Sequence, residues 1–135
     1  MVKRYLGLMC LAVLTASPSW ALETVSSVQI LANATTTVSG GMTSPRCVNR
    51  TFQAMGATSS GSGSSTIIIE ASNKPVPVEG TAVDWTTLGT ITLTLGTTQT
   101  NDGFASAASW RWVRARVSAI SGTGASVNVY LGCGS

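Results

Sequence analysis

Four carboxylates, Glu70, Glu79, Asp84 and Asp102, are the acidic side chains that could do chemistry in the body of this chain, and there is no histidine to work with them. Without an imidazole, Ser-His-Asp and Cys-His nucleophilic systems are excluded, and so are most zinc sites. A carboxylate pair of the kind glycosidases use is the residual catalytic option. The four acids are spread over turn and strand segments, where solvated or turn-forming roles are the ordinary ones. Calcium would need clustered oxygen ligands, and Asp84, Asn101 and Asp102 do not form such a cluster. Cys47 and Cys133 lack metal-ligand spacing, and no glycine-rich loop precedes a helix that could hold a phosphate. The sequence therefore predicts no catalytic residues, no metal and no cofactor.

The other chemically notable residues lie in one run, residues 110–117, Trp-Arg-Trp-Val-Arg-Ala-Arg-Val. On a strand, successive side chains point to opposite faces. Val113, Ala115 and Val117 then suit a core, while Trp110, Trp112, Arg114 and Arg116 share the other face. Interleaved aromatic and Arg side chains can stack on sugar rings or anchor a protein interface. They can also simply cover apolar surface. Tyr130 falls on the outward face of the last predicted strand and is expected to lie beside the two tryptophans, completing a binding platform.

Such a face needs a scaffold. The chain has 135 residues, of which 10% are charged, and is rich in Thr, Ser, Gly, Ala and Val. That length makes one domain with a real core. Residues 1–21 read as a secretory leader: Lys3 and Arg4, an apolar run, and small residues before a cleavage point after Ala21. The run is too short to cross a bilayer, and an uncleaved apolar arm is the alternative. The expected location is secreted, extracellular or periplasmic, if the leader is removed, and otherwise a virion. The formal charge is +3. Without Lys3 and Arg4, six basic residues face five acidic ones, a net of +1 that gives no general attraction to nucleic acid.

Removal of the leader also removes Cys10, leaving Cys47 and Cys133 as an even pair. In an oxidising compartment they are expected to form a disulfide; two unpaired thiols are the alternative.

In residues 22–135 strand patterns recur with Gly-containing turns and no helical period. Strands are expected at residues 24–31, 35–39, 47–55, 66–71, 83–88, 90–95, 110–120 and 125–131. The Gly/Ser tract 56–65 reads as a flexible loop, Pro75 and Pro77 force another, and Asn101-Asp102-Gly103 signals a turn. About eight short strands predict an all-β antiparallel sandwich or jelly roll. The last two strands, both alternating, are expected to pair as a hairpin.

Several segments also carry a resemblance. Thr51-Phe52-Gln53-Ala54, the Ser/Gly tract, Thr66 to Glu70, Ala71-Ser72-Asn73, Trp85-Thr86-Thr87-Leu88-Gly89, Asp102-Gly103-Phe104, Trp110-Arg111-Trp112-Val113-Arg114 and residues 120–125 occur in that order. The combination resembles small β-sandwich proteins of tailed-phage and prophage structural regions, loosely similar to discoidin-type sandwiches, over residues 51–131. The resemblance implies a non-enzymatic virion decoration, fibre or receptor-contact module that self-associates or binds other virion or surface proteins. An exported domain that binds carbohydrate or a cell surface is the alternative.

Overall fold

The computed structural model of the chain describes residues 26–134; the predicted leader and Cys10 lie outside them. Seven strands make two antiparallel sheets: β1 (Ser26–Ala34), β2 (Asn49–Ala57), β3 (Ser60–Ser72), β4 (Thr86–Leu95), β5 (Thr100–Ser106), β6 (Trp112–Thr123) and β7 (Ser126–Gly134). One sheet has the order β1-β7-β2-β5 and the other β4-β3-β6. The predicted all-β sandwich is the observed fold. No helix among the described residues is long and apolar enough to cross a membrane.

The predicted strand at 35–39 appears instead as a short bridged segment along the free edge of β6. Ser39 bridges to Arg116 and Thr43 to Val113, through backbone bonds that include Gly40 N–H to Ala115 O at 2.8 Å and Val117 N–H to Val38 O at 2.8 Å. With this segment counted second along the chain, first pairs with eighth, second with seventh, third with sixth and fourth with fifth. Nested pairing of this kind, wrapped into two sheets, is a jelly roll.

The core follows from period two. Phe52 and Ala54 on β2, Ile67 and Ile69 on β3, Val113, Ala115 and Val117 on β6, and Val127, Val129 and Leu131 on β7 are all sealed from water. The Phe52 and Phe104 rings stack at 5.3 Å between centroids. Phe104 lies so close to β4 that a Cβ on Gly89 would stand 2.6 Å from its ring, which explains a glycine inside a strand.

Topology overturns the predicted final hairpin. β6 and β7 belong to different sheets, so residues 122–125 form an arch across the sandwich. Gly122 and Gly124 supply positive φ values of 114° and 61° there, a region open to residues without a Cβ. Two clean alternations show that both strands face one core; they do not show that the strands pair.

Three local expectations also change. The Gly/Ser tract is strand: Gly63, Ser64 and Ser65 pair with Leu95, Thr94 and Leu93 on β4, and a Cβ on Gly63 would stand 2.1 Å from Ser121 O. Small residues are needed where the bulged β6 approaches. Asn101-Asp102-Gly103 lies inside β5 opposite Met55, Ala54 and Gln53, with Asp102 Oδ1 accepting from Gly103 N–H at 2.8 Å. The expected strand at 83–88 is a 3-10 turn, Ala82–Asp84, followed by one continuous strand through Gly89.

The predicted disulfide is present, joining Cys47 to Cys133 across 86 positions.

Candidate functional site

The outward face of β6 is not a free surface. Val113, Ala115 and Val117 point inward as expected, but Arg114 on the opposite face is only 3% exposed. Directly across on β3 stands Glu70. Its Oε2 accepts from Arg114 Nε at 2.7 Å, and its Oε1 accepts from Arg116 Nε and Nη2 at 3.2 and 3.1 Å. One buried carboxylate therefore bridges two guanidinium groups that are two residues apart on the neighbouring strand.

The cover is the loop between β3 and β4, residues 73–85. Trp85 lays its ring over Arg114, with Cζ 4.0 Å from the ring centroid, a stacked cation–π geometry worth most when desolvated. Arg114 Nη1 donates to the carbonyl of Glu79. The loop also braces itself. Lys74 Nζ bonds both Asp84 oxygens at 2.7 Å, Val78 N–H donates to Asp84 Oδ2 at 2.9 Å, and Trp85 Nε1 donates to Val78 O at 2.9 Å. Asn73 Oδ1 accepts from Arg111 N–H at 2.9 Å, tying the loop to the start of β6. Pro75 and Pro77 restrict the backbone further.

This rigid loop carries apolar side chains into solvent: Val76 is 75% exposed, Val78 54% and Val83 91%. Beside it runs a groove of about 360 Å³ whose lining includes Ser39, Glu70, Glu79, Ala82, Arg114 and Arg116.

The expected binding residues separate into three places. Trp112, Arg114 and Arg116 share one face of β6, on which the loop covers Arg114. Trp110 precedes β6, packs partly against the core and lines a different cavity with Arg46, Arg50 and Arg111. Tyr130 lies on the outer face of the other sheet, between Gln29 and Gln53, because β7 crosses the sandwich after β6. The platform of two tryptophans and a tyrosine is therefore not formed. The expectation missed Trp85, the position of Glu70 between two arginines, and the three loop valines. Val76 and Val78, set between Pro75, Pro77 and Gly80, with Val83 just beyond, were the available signal, since loops of that kind are ordinarily polar.

The Lys74 hydrogen bond, then that from the Val78 amide, holds the Asp84 carboxyl below its ordinary range. A lowered native pKa gives stabilisation that is full above the unfolded value, about 3.9, and lost as pH falls through the native value. The Val78 amide resonance is therefore expected to titrate with a midpoint below 3.9, and not at all in Asp84→Asn. A midpoint at or above the ordinary carboxylate value would show that Lys74 does not hold the loop in solution.

Comparisons with protein-family models, curated proteins and solved structures gave no match.

Proposed function

We propose that this chain is a non-enzymatic contact module of a virion or other exported surface, and that it works by protein–protein contact through the loop 73–85. The observation that carries this reading is a loop pinned by Arg114, Trp85 and Asp84 while Val76, Val78 and Val83 face solvent. Rigid display means that little ordering entropy remains to be lost when a partner docks. Solvent-facing branched apolar residues on such a loop gain from a dry, packed contact. The disulfide favours an oxidising setting outside the cytoplasm, and jelly rolls recur in viral coats and lectins. The partner is a second copy of the chain or another protein of the same surface.

Under this reading, Arg114 and Glu70 act through the loop and do not touch the partner. Light scattering over a concentration series is expected to show association that the triple change Val76→Ser, Val78→Ser and Val83→Ser abolishes, with the melting temperature unchanged. Association that survives the triple change would overturn the role of the loop.

A second reading, binding of neutral carbohydrate, is favoured by the outer face of the four-stranded sheet. Gln29, Gln53, Asn101, Asn128 and Tyr130 gather there without a charged neighbour among their cross-strand partners. Gln29 Nε2 donates to Asn128 Oδ1 at 2.7 Å. A monomer at every concentration that binds a glycan array, and loses that binding in Tyr130→Ala, would establish this reading in place of the first.

A further inference from the structure

The described residues contain six basic side chains, and they divide evenly. Lys74 pairs with Asp84, and Arg114 and Arg116 pair with Glu70. Arg46, Arg50 and Arg111 have no carboxylate partner among the described residues, and all three line one cavity of about 390 Å³ at the end of the sandwich. That volume is within the range of small-ligand sites, about 300–1,000 Å³. Its walls also include Ser109, Trp110 and Cys47, and no acidic residue.

Arg50 is the unusual member. It is 2% exposed, and its guanidinium is held by three backbone carbonyls: Nη1 donates to Ala108 O at 3.0 Å, and Nη2 to Pro45 O at 3.2 Å and Trp110 O at 2.8 Å. Those dipoles fix its place without neutralising its charge, and burial pushes its pKa below the ordinary value. A buried charge without a counter-charge is expensive. Two of the three buried donors that lack an acceptor among the described residues, Arg50 Nε and Trp110 Nε1, belong to side chains of this cavity. Arg46 and Arg111 are exposed at its mouth, and a guanidinium fork suits the paired oxygens of a carboxylate, sulfate or phosphate.

We propose that the cavity between residues 45–50 and 109–111 is an oxyanion-binding site, in which Arg46 and Arg111 grip the anion and Arg50 sets the potential behind it. The Trp110 ring on the wall can pack against a sugar that carries the anionic group. The site meets the loop 73–85 at the Arg111 N–H bond to Asn73, but its anion binding is read by a different measurement and stands or falls independently of the contact reading.

The test is calorimetric titration of the full chain with sodium sulfate and with glucose 6-sulfate, at ionic strength held constant with chloride, and with glucose as the neutral control. Saturable binding of at least one sulfated probe is expected, with none for glucose. Arg46→Ala and Arg111→Ala should each weaken it at least tenfold while leaving the melting temperature in place. Tenfold tighter binding of glucose 6-sulfate than of sulfate would identify a sulfated sugar as the source, and equal affinities a free oxyanion; either supports the site. No saturable binding of either probe, or equal binding in both variants, would overturn it.

Discussion

Glu70→Gln is expected to lower the folding free energy by about 3–5 kcal/mol, because it leaves Arg114 buried beside a neutral amide. Arg114 is 3% exposed and cannot turn to water while Trp85 covers it and the Glu79 carbonyl holds it. Out of a total stability of about 5–15 kcal/mol for an ordinary domain, that is a large share. Arg116, whose side chain is 36% exposed, provides the contrast. Its Ala variant removes a half-solvated partner from the same carboxylate and should cost only about 0–1 kcal/mol. Urea unfolding of the two variants measures the difference directly. Near-equal losses would mean that Arg114 reaches solvent and that the loop is not pinned. The pair Glu70→Leu with Arg114→Met should regain most of the loss, since apolar replacement of a buried ion pair is often neutral or better.

The second large effect belongs to the disulfide. Changing Cys47 and Cys133 together to Ser should cost about 4–5 kcal/mol in the chain-entropy account of a loop this long, the two residues being 86 positions apart. In that account the loss comes from freeing the unfolded chain. Cys133 stands on β7 opposite both Ser26 and Arg50, so the bond restrains the strand at the middle of its sheet. Thermal unfolding of the wild type with and without reductant, set beside the double variant, checks this. A difference below about 1 kcal/mol would mean that the unfolded chain is already restricted in some other way.

Much of the inward-facing half of the fold was legible. Val127, Val129 and Leu131 alternate with polar neighbours, and so do Val113, Ala115 and Val117; burial of one face is the physical cause of that alternation. Pairing was not legible, because a strand that faces the core presents the same pattern whichever neighbour it bonds to. Residues 60–65 were misread because their strand is held by backbone bonds and close approach, and Ser and Gly leave no side-chain signature of either. Trp112, Arg114 and Arg116 lie on the side of β6 away from Val113, Ala115 and Val117, but Trp110 packs partly against the core, and the cover over Arg114 was invisible. Nothing local to residues 112–116 says that Trp85, nearly thirty positions earlier, will lie over Arg114. Arg50 was hidden for a similar reason: its partners are carbonyls of residues 45, 108 and 110, and carbonyls have no sequence.

The nested pairing bears on the order in which the molecule can be made. β7 is synthesised after the other six described strands, yet it lies between β1 and β2 and bonds to both. Until residues 126–134 leave the ribosome, the four-stranded sheet has no middle and its earliest strand has no neighbour. Pairings of such long reach form slowly. The β4-β3-β6 sheet and the β2–β5 pair need nothing from β7, so the three-stranded face can form first, and the four-stranded face closes only when β7 slots in between β1 and β2.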